Sequence, residues 1–334
     1  MSIRTRLRPL AAGALAALVL AGLAACGDDD GDAVREIGDG CASASASGGS
    51  ASGGASASGG SSASGCGSAS ASGSASGIQA SDIDVEVDNQ LIIDAVDDYR
   101  DYVAGQIDEM ITATKAFTDA VRAGDVEEAK SLFAVSRTPW ERIEPIAGLI
   151  EEIDGAVDAR VDDFADEDDP EWTGWHKLEY LLWEEGDVSG AAELADKLDE
   201  DLATLKAEFA DLELPPAALA VGATELIQEV SEGKITGEED RYSHTDLWDF
   251  QANVEGSEVL VDALRPALEE ADADLLADID EGFEELYDAL DEHRSGDGFV
   301  LYTELSEADI DALTARLASL SEDMALIAGT LGLE

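Results

Sequence analysis

Residues 91–111 read LIIDAVDDYRDYVAGQIDEMI. Leu91, Ile92, Ala95, Val96, Tyr99, Tyr102, Val103, Ile107, Met110 and Ile111 recur three or four positions apart. That spacing lines them along one stripe of an α-helix and leaves the aspartates on the other side. The segment predicts one long amphipathic helix, and the same period continues downstream.

Asp125-Val126-Glu127-Glu128 reads as a capping box opening a second helix, which Pro139 and Pro145 interrupt or restart. Residues 151–172 are so acidic that they read as a loop. A helix then carries His176 to Glu185, and others are expected at about 189–211, 215–233, 246–271 and 273–294. Ser306 with Asp309 opens a last one running to about Leu331. Gly298 to Thr303 is the only short strand candidate. Mostly short connections between some eight helices predict antiparallel neighbours and an all-α fold. About 250 residues suffice for one large core or two fused four-helix bundles.

Upstream the composition changes. Residues 42–77 contain only Ala, Ser and Gly apart from Cys66. Such a segment buries nothing that offsets its ordering entropy and predicts a flexible tether, with an r.m.s. span of roughly 30–36 Å. The first 25 residues read as a signal peptide. Arg4, Arg6 and Arg8 precede an apolar run from Leu10 to Ala25 that is short for a membrane span. The run ends in Leu23-Ala24-Ala25-Cys26, a lipoprotein cleavage pattern that predicts lipidation at Cys26. The sequence-based division is therefore a lipoprotein signal peptide (1–25), a lipidated cysteine and disordered tether (26–81), and a helical domain (82–334). The protein is expected outside the cytoplasm, anchored to the cell membrane at the surface or in the periplasm. Cys41 and Cys66 lie in the tether, and their spacing fixes no pairing.

The net charge is −57. A surface of that sign repels nucleic acid and anionic lipid and attracts cations. No HExxH, GxSxG, P-loop or strand-borne GxGxxG occurs, which removes the zincin, serine-hydrolase and nucleotide-binding classes. His293 stands beside Arg294 near a helix end and reads as a helix-terminal cation.

Three polar stretches stand out. In Trp172-Thr173-Gly174-Trp175-His176-Lys177-Leu178-Glu179, His176 and Glu179 share a helical face, so an imidazole nitrogen and a carboxylate oxygen can converge on one ion. With 76 acids in 334 residues, such a pair arises by chance about one time in four. The tryptophans and Leu178, Leu181, Leu182 and Trp183 make this an apolar helix, in which a His and a Glu need a reason. Glu141 and Glu144 form a second pair on one face, flanked by Pro139, Trp140 and Pro145. The third stretch, Lys234 to Phe250, is a dense polar connection between apolar helices. It reads either as a functional loop or as a helix junction capped by Thr245 or Asp246.

Arg137 to Pro145, Gly174 to Glu179 and Lys234 to Glu255, three separated blocks in order, resemble the imelysin or M75 peptidase-like family, most closely its EfeO/EfeM branch of iron-uptake lipoproteins. The resemblance covers roughly residues 85–332 and implies two four-helix bundles side by side. It implies a metal site in which His176 and Glu179 form the HxxE motif and Glu141, Glu144, Asp158 and Glu239 add carboxylates. It implies iron as the bound metal (Fe3+ or Fe2+), with copper or zinc also possible. The implied partners are a membrane permease of the EfeU type and a haem peroxidase of the EfeB type. Longer members of the branch carry an N-terminal cupredoxin domain; here the Ala/Ser/Gly segment stands in its place, as in the EfeM type. Hard iron cations favour such oxygen-rich ligand sets. The alternatives are a metallopeptidase, with His176 and Glu179 as ligands and Glu144 as base, and a non-catalytic acidic interaction module.

Overall fold

The computed structural model describes residues 87–333. The expected signal peptide, the lipidation site Cys26 and the tether with Cys41 and Cys66 lie outside the described residues. Asn89 accepts the backbone N–H of Leu91 at 3.0 Å and starts helix α1 (Gln90–Ala123), which Gly124 closes in the left-handed conformation. Ile92, Ala95, Tyr99, Val103, Ile107, Met110, Phe117 and Val121 are its buried stripe, as the 91–111 period requires. Asp125 caps α2 (Val126–Glu141) through the Glu128 N–H. Pro139 sits inside the final turn of α2 rather than breaking it, and Pro145 begins a 3-10 turn over Glu144–Leu149.

Two expectations change. Residues 151–157 are not loop but a short helix, α3 (Glu151–Val157). Ile150, Ile153 and Val157 are buried along one side, while Glu151 and Glu152 face solvent. The acids mask an apolar period without abolishing it. The chain continues through α4 (Gly174–Tyr180), a wider π turn over Leu181–Glu185, α5 (Ala192–Phe209) and α6 (Pro216–Glu232). Then come α7 (Asp246–Ala271), α8 (Ala273–Asp291), α9 (Glu307–Met324) and α10 (Ile327–Leu331). Ser306 and Asp309 form a reciprocal capping box at the start of α9. The last predicted helix is thus two, parted at Ala325 and Leu326. The strand candidate becomes a small antiparallel hairpin, β1 (Arg294–Ser295) with β2 (Gly298–Phe299).

Two helical groups result. In the first, α1 packs against α2 and α5, with α3 and α4 against α5; in the second, α6 and α8 each pack against α7 and α9. Helices α1 and α2 also pack against α7, joining the groups along one apolar core. The approach is close. A Cβ on Gly256 of α7 would lie 2.3 Å from the carbonyl oxygen of Arg142, just past α2. Among the described residues no helix is long and apolar enough to cross a membrane.

Candidate metal centre

Side chains from both helical groups meet at this seam. Arg137 and Glu141 come from the last two turns of α2, and Glu144 from the following turn. Asp158 follows α3, and His176 and Glu179 lie on α4. Lys234, Glu239 and Asp240 occupy the connection between α6 and α7, and Asp249 and Asn253 the start of α7. All of them are buried except Asp158, which is nearly so.

Gly174 brings α4 to Asp158. It has a φ of +83°, and a Cβ there would lie 2.1 Å from the carbonyl oxygen of Val157. Only glycine allows both that backbone conformation and that approach. Two residues later, His176 is 2% exposed. Its Nδ1 is 3.1 Å from Glu179 Oε2, while its Nε2 faces Asp158 Oδ1 at 3.6 Å and Glu239 Oε1 at 3.8 Å. Those distances are too long for hydrogen bonds, and Nε2 has no hydrogen-bond partner. Two atoms each about 2.1 Å from a shared ion are about 3–3.5 Å apart. The two distances from Nε2 are therefore within a few tenths of an ångström of the spacing in a coordination shell. One ligand atom each from Asp158, His176 and Glu239 lies within 4.8 Å of the others, and the same holds for His176, Glu179 and Asp240.

The loop after α6 completes the arrangement. His244 adopts a left-handed backbone, φ 59°, uncommon outside glycine. Just before it, the N–H groups of Tyr242 and Ser243 donate to Glu179 Oε1 at 3.0 and 2.7 Å, with the Ser243 hydroxyl at 2.9 Å. Glu179 is thus fixed by one oxygen while the other meets His176. Thr245 stands at the N-cap position of α7, but its hydroxyl donates to Asp240 Oδ2 instead of capping the helix.

Buried cations offset part of this negative charge. Arg137 donates to Asp158, to Glu141 Oε1 at 2.5 Å and to Glu239 Oε1 at 3.2 Å, and its Nε lies 3.5 Å from both Asp240 and Asp249. Lys234 donates to Glu141 Oε2 at 2.5 Å and Glu144 Oε2 at 2.7 Å. Asn253 Nδ2 donates to the same two oxygens at 3.0 and 2.8 Å. Arg160 holds Glu239 Oε2 at 2.7 Å.

Burial is the largest influence on His176 and disfavours its charge, with Arg137 acting the same way. Glu179, Glu239 and Asp158 outweigh both and push the imidazole up to about 9. Burial likewise opposes ionisation of Glu239 and Asp158. Lys234, His176, Arg160 and Arg137 nevertheless hold Glu239 well below the usual carboxylate range, and Arg137 with His176 holds Asp158 down. Asp240 is raised to about 6 by burial and Asp246 to about 7 by burial and Asp240. Asp249 is raised well above its ordinary value by burial and by Asp240.

Of the six residues singled out in the sequence, His176, Glu179, Asp158 and Glu239 converge directly. Glu141 and Glu144 join the cluster through Arg137 and Lys234. Sequence reasoning missed Asp240 as a possible ligand and Arg137, Lys234 and Asn253 as its organisers. The signal was available: Asp240 follows Glu239 within the third polar stretch, and Arg137 opens the Arg137–Pro145 block. Glu144, the base of the peptidase alternative, is engaged by Lys234 and Asn253.

Comparison with known proteins places the chain in a family. The family model described as Imelysin matches residues 95–327. Proteins named "Iron uptake system component EfeO" are similar to this chain in Escherichia coli (47% identical over 241 residues) and in Shigella flexneri (46% over 241 residues). Those matches cover 72% of this chain and 64% of each relative, so the chain spans less than two thirds of the relatives' length.

Proposed function

The chain belongs to the imelysin family, and from that premise we propose that it is an extracytoplasmic iron-binding component of an uptake system, not an enzyme. The observation that carries the reading is the buried Nε2 of His176, which makes no hydrogen bond and faces the carboxylates of Asp158 and Glu239 at 3.6 and 3.8 Å. A buried imidazole nitrogen whose carboxylate neighbours stand beyond hydrogen-bond reach is poorly served in a purely structural site and well placed in a coordinating one. Glu179 supplies the orienting contact on the other ring nitrogen, or joins as a ligand. Mostly oxygen donors with one nitrogen suit iron in either oxidation state better than they suit soft ions. Copper and zinc are the competing metals to test.

In this reading residues 1–25 are a cleaved signal, Cys26 carries lipid, and residues up to 81 tether the domain near the membrane. The loaded domain passes iron to an EfeU-type permease, assisted by an EfeB-type haem peroxidase. The relatives' name supports iron uptake. Glu144's engagement and the burial of the cluster weigh against the metallopeptidase alternative, which needs a peptide beside the ion.

Calorimetric titration with Fe2+ under anaerobic conditions tests the site. His176→Ala and Glu179→Ala are expected to lower affinity at least tenfold while keeping a cooperative melting transition. Unchanged affinity in both variants removes the site. Cys26→Ser is expected to move the protein from the detergent to the aqueous phase in a detergent partition, and equal partition rejects the anchor.

A further inference from the structure

Lys234 is an odd residue to find inside a cation-binding centre. It is 3% exposed, and its ammonium sits between Glu141 Oε2 and Glu144 Oε2 with Glu239 Oε1 3.8 Å away. An ion coordinated by Glu239 Oε1 at about 2.1 Å would therefore lie within about 6 Å of the ammonium, and like charges so close in a buried setting repel strongly. The two cations of the cluster differ in how they can respond. Arg137 is a rigid planar fork held against five carboxylates and stacked over the rings of Phe133 and Trp175 at 5.9 and 5.8 Å. Lys234 is a point charge on a flexible four-carbon stem.

We propose that Lys234 is a tethered competitor for the metal: its ammonium holds Glu141 and Glu144 until an ion enters, and then withdraws so that these carboxylates turn to the ion. The proposal rests on the iron-binding reading above. It accounts for the division of the cluster seen here. Glu141 already spends Oε1 on Arg137, and its Oε2 is shared by Lys234 and Asn253. Withdrawal of Lys234 returns lone pairs on Glu141 Oε2 and Glu144 Oε2, while Asn253 Nδ2 still orients both groups. The same ammonium is on hand to reoccupy them when the ion leaves, which suits a carrier that must release its cargo. Lys234 is thus a positioning residue that sets affinity, and removing its charge strengthens binding.

Anaerobic Fe2+ titration compares the wild type with Lys234→Met and Lys234→Arg. Lys234→Met is expected to bind at least tenfold more tightly than the wild type, with a larger metal-induced rise in melting temperature; Lys234→Arg, which keeps the charge, is not. Loss of a merely structural contact would weaken binding instead. A folded Lys234→Met with equal or weaker affinity overturns the proposal and leaves the metal site standing. No binding by the wild type removes the site and the proposal together. Amine acylation of wild-type protein followed by peptide mass mapping needs no variant. Lys234 is expected to be protected in chelator-treated protein and labelled at least fivefold faster with saturating Fe2+; equal labelling overturns the proposal even if Lys234→Met fails to fold.

Discussion

Consider raising the pH during metal binding. An ion takes the neutral imidazole, so the proton that Glu179, Glu239 and Asp158 stabilise on His176 must leave. With His176 at about 9 in the metal-free protein, pH 7 lies two units below its midpoint. Each unit is about tenfold in an equilibrium constant, so apparent affinity at pH 7 should be about a hundredfold below its value above pH 9. Asp240, at about 6, and Asp246, at about 7, are largely ionised by pH 8, which leaves His176 and the raised Asp249 as the protonated groups of the cluster, and only His176 must lose its proton to coordinate. The assay is calorimetric titration with anaerobic Fe2+ at pH 8 in buffers of different ionisation enthalpy. The slope of observed enthalpy against buffer enthalpy counts protons released, and a value near one is expected. A slope near zero with tight binding refutes the argument, because it means that the charged imidazole is not displaced. His176→Ala should abolish the slope whatever affinity remains.

Stability without metal should follow the same groups. The raised midpoint of His176 stabilises the fold below its ordinary value near pH 6.5, and that contribution of about 3 kcal/mol is lost as pH rises through 9. Asp240 and Asp246, also raised, act in the same direction between their ordinary range and pH 7. Asp158 and Glu239 are lowered, so their contribution is present above the ordinary carboxylate range and lost in acid. Urea unfolding of chelator-treated protein should therefore show a maximum on the acidic side of neutrality, and a stability that climbs steadily to pH 9 contradicts this. Arg137→Met strips the counter-charge from five buried carboxylates and should cost about 3–5 kcal/mol at pH 7. Saturating metal should restore part of that loss in thermal melts. Gly174→Ala must give up either φ +83° or the contact with Val157, and should cost more than about 3 kcal/mol by urea titration while weakening Fe2+ binding.

Much of the fold could be read in advance because helix formation here follows a local period. Ile92 to Met110 announces α1, and Ser306 with Asp309 announces α9. The period failed where charge density hid it, at Ile150 just before α3 and at Ile153 and Val157 within it. His176 and Glu179 were legible as a pair because three residues on one helix are a local relation. Their meeting with Asp158 and Glu239 is a tertiary relation that came only from the family resemblance. Arg137 and Lys234 lay inside the marked blocks, but their burial could not be read, for a different reason. In a chain of 76 acids, a basic residue looks like a surface counter-ion, and nothing local says that these two are sunk to 0% and 3% exposure.

The seam between the two helical groups has a mechanical consequence. His176 and Asp158 belong to one side and Glu239 to the other, so an ion held by all three would add a further link to those that Arg137, Arg160 and Lys234 already make across the seam. In the proposed reading, an ion held there fastens α3 and α4 to the segment that enters α7, so loading and local rigidity are linked.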